Sequence, residues 1–156
     1  MMNALQKFYG ILVCCGSKLQ CPVLLIIRLI WGFQFFQAGL GKFQNMERTV
    51  NGFTGIGIPL PAFNAYLVAS TEFLGGLLLI LGLASRLASL PLAFAMCVAF
   101  ATAHKDQLLA LFSDSEKFFA APPLPFLLGV LTVLAFGPGK ISLDYLISRF
   151  LPLKKP

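Results

Sequence analysis

Four long apolar blocks separated by short polar segments dominate the pattern along the chain. They run over about residues 22–41, 62–83, 87–104 and 118–136, and none of them shows a polar stripe at helical spacing. About 20 apolar residues are needed for a helix to cross a bilayer, and a helix that is apolar on every side suits lipid. Prolines open the fourth block, so its helix is expected to begin near Pro123. The pattern predicts an all-α, polytopic membrane protein with four transmembrane helices in a bundle.

The segments that flank these blocks are expected to lie at the membrane surface. Residues 1–21 contain an apolar core of only about seven residues, which is too short to span a bilayer. They are predicted to form an interfacial N-terminal segment. At the other end, Ser142 is placed to cap a helix that starts at Leu143 and collects its apolar residues largely on one face. We therefore predict a transmembrane domain over residues 22–140, followed by an amphipathic C-terminal helix and basic tail over residues 141–156.

Composition and charge sharpen this picture. Hydrophobic residues make up 58% of the chain and charged residues 12%, against about 45–50% and about 25% in soluble domains.

Seven basic residues fall before the first block, between the second and third, or after the fourth: Lys7, Lys18, Arg86, Lys140, Arg149, Lys154 and Lys155. Four fall on the other side: Lys42, Arg48, Lys105 and Lys117. Because cytoplasmic loops are rich in Lys and Arg, both termini are predicted to be cytoplasmic. The net charge of +6 indicates topology and attraction to anionic lipids, and no nucleic-acid partner.

Two charged residues lie inside the apolar blocks, where each costs several kcal/mol unless it is paired or hydrated. Arg28 lies about 9 Å from the cytoplasmic end of the first block, and Glu72 about 16 Å from the cytoplasmic end of the second. These depths predict an ion pair between Arg28 and Glu72. The pair either fixes helix register or forms part of a functional polar pocket; alternatively Arg28 extends to the membrane surface unpaired.

Small residues accompany these charges at helical spacing. Arg28, Gly32, Gly39 and Lys42 share one face of the first block. Ala65, Ala69, Glu72, Gly76 and Leu79 share one face of the second. Small residues allow helices to approach closely in lipid, so the two faces are expected to pack together. His104 ends the third block and is either structural or a proton-handling group near neutral pH.

The chain offers few residues for self-contained catalysis. Four cysteines occur without a Cys-x-x-Cys pair, and neither a metal-ligand spacing, a Gly-rich phosphate loop nor a Ser-His-Asp set is present. The sequence predicts no metal site. It therefore argues against a free-standing enzyme and is compatible with a non-catalytic subunit of an oxidoreductase.

Several segments in order resemble the DoxX family of small bacterial membrane proteins. They comprise residues 28–32, 38–43, 57–61, 72–76 and 81–86, the third block ending at His104, and the closing segment Gly137-Pro138-Gly139-Lys140-Ile141-Ser142-Leu143-Asp144. Some family members have His where this chain has Ala38. The resemblance covers roughly residues 22–147 and implies a four-helix fold in the bacterial inner (cytoplasmic) membrane. Together with the charged residues described above, it leads to the prediction of a polar intramembrane pocket or ligand site that comprises Arg28, Lys42, Glu72, Arg86 and His104.

The same resemblance implies a link to redox chemistry. Founding members are named for a subunit of a thiosulfate:quinone oxidoreductase or terminal oxidase system, and others act with partner proteins in redox stress. The favoured expectation is a subunit or accessory scaffold of a quinone-linked redox complex, with a non-covalently bound quinone and a redox partner protein. The alternative is a small-molecule transporter or a lipid-binding membrane protein without redox activity, for which a homodimer with a shared pathway is compatible with four spans.

Overall fold

The computed structural model describes residues 2–150 as helices joined by short connections. The helices are α1 (Met2–Gln44), α2 (Met46–Gly55), α3 (Pro61–Leu81), α4 (Ser85–Ala101), α5 (Lys105–Leu109), α6 (Ser115–Phe119), α7 (Pro123–Phe136) and α8 (Leu143–Phe150). Residues 2–150 contain no strand. The prediction of an all-helical fold is confirmed, and so is the start of the fourth long helix at Pro123.

Helix α1 does not divide at the predicted border between residues 1–21 and 22–41. It runs for 43 residues and includes Pro22. Pro22 is exposed, and the chain remains helical on both sides of it. The described side chains between residues 6 and 20 are all exposed. The interfacial position of this segment stays a prediction.

The two predicted small-residue faces pack against each other. Gly32 lies against Gly76 and Ile80, and Gly39 lies against Ala69 and Phe73, so α1 and α3 run antiparallel. A Cβ atom on Gly76 would lie 2.6 Å from the carbonyl oxygen of Gly32, which shows how closely the backbones approach. All five predicted face residues of α3 are buried: Ala65, Ala69, Glu72, Gly76 and Leu79. This part of the prediction is confirmed.

Helices α4 and α7 pack on this pair and complete the core. Helix α4 contacts α7 and α3, while α1 also contacts α7. The buried apolar cluster combines residues of α1, α3, α4 and α7: Phe35, Leu79, Leu92, Met96, Val130 and Val133. The prediction that Ser142 caps the C-terminal helix is also confirmed, because its Oγ accepts a hydrogen bond from the backbone N–H of Tyr145 at 3.2 Å. Residues 151–156 of the predicted tail lie outside the described residues.

The outer surface of the helices is apolar. Helix α3 exposes Phe63, Leu67 and Leu74, and α4 exposes Leu87, Leu90 and Phe94. Soluble proteins seldom expose contiguous apolar surface on this scale, whereas lipid covers it readily. Two described helices are long and apolar enough to cross a membrane: α1 from Phe8 to Gln44, and α3. Since α4 and α7 are apolar but have only 17 and 14 residues, the structure supports a helical membrane protein and four spans stay a prediction.

Candidate functional site

A small, mostly apolar pocket with a few polar groups lies between α1, α3, α4 and the start of α7. Its volume is about 240 Å³, and it is lined by Phe35, Ala38, Lys42, Glu72, Met96, Ala99, His104, Pro122, Pro123 and Phe126. We call it the Glu72 pocket. Three of the five predicted site residues line it, namely Glu72, Lys42 and His104. The protein therefore gathers a carboxylate, an ammonium group and an imidazole at one cavity.

An ion pair forms the polar side of the Glu72 pocket. The Nζ atom of Lys42 donates to Oε2 of Glu72, and this is the one ion pair among the side chains that the structure describes. The Glu72 side chain is 5% exposed and the Lys42 side chain 27% exposed. Glu72 accepts no hydrogen bond at Oε1 from any described residue, so that oxygen is available to a ligand. Lys42 likewise retains ammonium hydrogens beyond the one that it gives to Glu72.

His104 enters the pocket from the turn that follows α4. Its Nδ1 lies 2.7 Å from Oε1 of Gln107, one turn further along the chain. In the tautomer that carries its proton on Nδ1, the ring donates to Gln107 and Nε2 is an acceptor. No described residue is hydrogen-bonded to Nε2. With His104 in that tautomer, the pocket presents one donor group, Lys42, and two acceptors, Glu72 Oε1 and His104 Nε2.

Aromatic and sulfur-bearing side chains form the remaining walls. The rings of Phe35 and Phe126 meet edge to face, with centroids 4.9 Å apart. Trp31 packs on the far side of Phe126, with a centroid distance of 5.1 Å. Pockets for drug-sized ligands begin at about 300 Å³, so this smaller cavity suits a single ring rather than an extended molecule.

A second cavity adjoins the pocket under α2. It has a volume of about 490 Å³ and shares Ala38 and Lys42 with the Glu72 pocket, while Arg48 and Thr49 line its far side. Ala38 and Lys42 therefore lie between the two cavities.

The predicted ion pair between Arg28 and Glu72 is wrong. Arg28 is buried, and it donates from Nε to the carbonyl of Leu79 at 2.6 Å, from Nη1 to that of Pro138 at 2.6 Å, and from Nη2 to that of Ile80 at 3.3 Å. The prediction measured depth from the ends of the apolar blocks. The antiparallel register instead places Arg28 beside the C-terminal end of α3. Glu72 lies nine residues before that end, about 14 Å along the helix, where Lys42 meets it.

Arg86 also lies at the end of the molecule where α3 ends and α4 begins, outside the Glu72 pocket. Its Nη2 donates to the carbonyl of Ala135 at 3.3 Å, and its side chain is exposed. Nearby, the carboxylate of Asp144 accepts the backbone N–H groups of Ala84 and Ser85 at 2.6 and 3.0 Å and so caps α4. Arg28 and Arg86 therefore belong to the junction between α3, α4 and the segment 137–144.

Sequence reasoning missed the apolar walls of the pocket. Phe126 lies in a uniformly apolar block, where nothing distinguishes it from its neighbours. One signal was available in Gly129, which follows it by three residues. A Cβ atom there would lie 2.6 Å from Cγ of Trp31, so this glycine admits the indole ring that supports Phe126.

Comparison with known proteins gives a consistent family match. Residues 23–105 match the family described as DoxX. A Bacillus subtilis protein named "Putative oxidoreductase CatD" is 38% identical over 117 residues, which cover 65% of this chain and 86% of that protein. A Mycobacterium tuberculosis protein named "Uncharacterized membrane protein Rv3486" is 36% identical over 138 residues, covering 82% of this chain and 83% of that protein. A Haemophilus influenzae protein without an assigned role is 29% identical over 135 residues, covering 84% and 87%. No solved structure matches.

Proposed function

Because this chain belongs to the DoxX family of membrane proteins, we propose that it serves as a subunit or accessory scaffold of a quinone-linked redox complex. The observation that carries the proposal is the Glu72 pocket, which combines ring-sized volume, aromatic walls and three groups that exchange protons. The name of the Bacillus subtilis relative, "Putative oxidoreductase CatD", is in keeping with this proposal.

The chemistry of the pocket fits a quinol and its oxidised form. The two hydroxyl groups of a quinol can donate to Oε1 of Glu72 and Nε2 of His104, while Lys42 can donate to a quinone carbonyl. A bound quinone supplies two-electron chemistry. The side chains of Glu72 and His104 would accept the two protons that leave when the quinol is oxidised, and return them on reduction. Since carboxylate, ammonium and imidazole groups move protons and not electrons, the electrons are exchanged with a partner protein.

The membrane arrangement is part of the same proposal. We place α1, α3, α4 and α7 across the bacterial inner membrane, with both termini in the cytoplasm. The excess of Lys and Arg at the end where α4 begins supports this orientation, because such residues are retained on the cytoplasmic side. Arg86 and Lys140 both lie at that end.

The orientation can be tested with the native thiols. Cys14 and Cys15 are exposed on the N-terminal part of α1, whereas Cys97 lies exposed on the apolar outer side of α4. A membrane-impermeant maleimide is expected to label Cys14 and Cys15 in inverted membrane vesicles and not in right-side-out vesicles. Variants that retain only Cys97 serve as the control and should stay unlabelled in both. Labelling of Cys14 and Cys15 from the periplasmic side alone would contradict the orientation.

Quinone binding can be tested with the single tryptophan as reporter. Trp31 contacts Phe126, a wall of the Glu72 pocket, and quinones quench indole fluorescence at short range. Titration of the detergent-solubilised protein with a short-chain quinone is expected to quench Trp31 saturably. Replacing Glu72 with Gln should raise the Kd for the corresponding quinol by about tenfold or more, because a hydrogen bond to a charged group is lost.

Glu47→Gln provides a matched control for Glu72→Gln. Glu47 is an exposed glutamate on α2 that lines neither the Glu72 pocket nor the cavity beside it. Its replacement removes the same charge and should leave quinol affinity unchanged. Equal affinities for the two variants would contradict a role of Glu72 in binding. No saturable quenching of the unaltered protein would contradict quinone binding altogether and favour transport or lipid binding.

A further inference from the structure

A large crevice opens at the end of the molecule where α4 begins and α7 ends. Its volume is about 800 Å³, and it lies away from the Glu72 pocket, with which it shares no lining residue. Two basic residues line it: Arg86 in the first turn of α4, and Lys140 in the segment after α7. Both side chains are exposed, so both charges are accessible at the crevice.

The crevice is lined by more positive than negative charge. Arg86 makes one hydrogen bond, of 3.3 Å, to a backbone carbonyl, and Lys140 forms no ion pair with any described side chain. Asp144 also lines the crevice and offsets one of the two positive charges, while both of its oxygens accept backbone N–H groups at the start of α4. Arg28 adds a further buried positive charge at the same junction. The crevice therefore presents unused cationic donors to an incoming anion.

The segment 137–140 packs against Arg86 and carries Lys140. Gly137 and Gly139 both adopt positive φ angles, of 80° and 79°, which turn the chain sharply between α7 and Lys140. A Cβ atom on Gly137 would lie 3.3 Å from Nη2 of Arg86, so the backbone of the turn lies directly against the guanidinium group. In the same turn, the Pro138 carbonyl accepts a hydrogen bond from Arg28. Arg86 and Lys140 thus line the same crevice from neighbouring segments.

The rest of the crevice wall is apolar. Leu24 of α1, Leu87 of α4 and Phe136 of α7 line it, and Leu87 and Phe136 are exposed on the outer surface of the helices. A cationic rim above an apolar wall matches a molecule with an anionic headgroup and hydrocarbon chains. Basic pockets between transmembrane helices recognise phospholipid headgroups in this way.

We propose that this crevice is a binding site for an anionic phospholipid. The phosphate group is held by Arg86 and Lys140, and an acyl chain lies along Leu24, Leu87 and Phe136. The proposal is independent of quinone binding, because it concerns a different cavity with different residues.

The test is native mass spectrometry of the purified full chain titrated with phosphatidylglycerol. The double variant Arg86→Gln with Lys140→Gln is expected to weaken phosphatidylglycerol binding by about 25-fold, since each basic residue near a membrane surface contributes about fivefold. Phosphatidylethanolamine, whose headgroup carries no net charge, is expected to bind weakly to both proteins. The double variant Arg86→Lys with Lys140→Arg should retain phosphatidylglycerol binding.

Lys105→Gln with Lys117→Gln is the matched control. It removes the same charge from the opposite end of α4, and it is expected to bind phosphatidylglycerol like the unaltered protein. Equal weakening in both Gln double variants would overturn the site, because it would reveal general electrostatic attraction. Displacement of the lipid by millimolar inorganic phosphate would identify the ligand as free phosphate and overturn the assignment to a phospholipid.

Discussion

Replacing Arg28 with Met is expected to destabilise the detergent-solubilised protein by about 3–5 kcal/mol. Arg28 is 2% exposed and its guanidinium group donates to three carbonyls, those of Leu79, Ile80 and Pro138. The first two lie at the C-terminal end of α3, and the third lies in the turn after α7. The Leu79 carbonyl also accepts the backbone N–H of Gly82 at 3.2 Å. Methionine offers no donor, so it leaves the carbonyls of Ile80 and Pro138 without one, and each such loss costs about 1–3 kcal/mol. The loss is measured as a fall in melting temperature and in the fraction recovered as monodisperse protein.

Two further variants identify the cause of that loss. Arg28→Lys keeps the charge but replaces the planar guanidinium group, which reaches three carbonyls, by a single ammonium group. It should therefore recover only part of the stability. Arg86→Gln removes an exposed arginine with one hydrogen bond of 3.3 Å and should change stability by less than about 0.5 kcal/mol. A melting temperature for Arg28→Met equal to that of Arg86→Gln would contradict the conclusion that the hydrogen bonds of Arg28 stabilise the fold.

Arg28 also illustrates where sequence reasoning reached its limit. Its isolation inside an apolar block correctly indicates a buried charge with a partner. The partners are backbone carbonyls at a helix end and in a glycine-containing turn, and such groups are carried by every residue, so composition does not single them out. Glu72 is the only carboxylate within the four apolar blocks and was therefore chosen as the partner, whereas in the structure it pairs with Lys42.

The packing of α1 on α3 was more accessible to prediction. Helical spacing alone assigns Gly32 and Gly39 to one face and Ala69 and Gly76 to another, and both faces are found in contact. Spacing gives the face of each helix but not its vertical register against a neighbour. That register depends on where each helix begins and ends, and α1 extends well beyond the predicted start of its block. This error in the predicted register is the reason why Arg28 and Glu72 were expected to meet, whereas the observed register keeps them apart.

Some residues of the Glu72 pocket were also accessible to prediction, because helical spacing gives the face of the helix on which each residue lies. Lys42 was placed on the helix face that meets α3, and His104 at the end of the third block, so both arrive near Glu72. Arg86 was predicted for the same pocket, but it lies at the opposite end of α4 from His104. The sequence alone does not show at which end of the bundle a residue near a helix terminus lies, and the fold separates the predicted residues into two sites.

Replacing Gly39 with Ala is expected to destabilise the protein by at least about 3 kcal/mol, through the contact between α1 and α3. The added Cβ atom would lie 2.8 Å from the carbonyl oxygen of Ala69 and equally close to the Cα atom of Phe73. These are backbone atoms of a neighbouring helix, so no side chain can rotate away, and the helices must separate. Overpacking of this kind costs about 1–3 kcal/mol when side chains can adjust, and more when they cannot.

Gly41→Ala is the same substitution two residues further along α1, with nothing within 4 Å of the added atom. Alanine loses less backbone entropy than glycine on entering a helix, so this variant should be more stable than the unaltered protein by about 0.5–1 kcal/mol. The two substitutions are therefore expected to shift the melting temperature in opposite directions. Because Lys42 and Glu72 meet across the same contact, Gly39→Ala should also weaken quinol binding, and Gly41→Ala should not. Parallel shifts in both variants would indicate that helix propensity alone determines the outcome, and would contradict close backbone packing as the basis of the pocket.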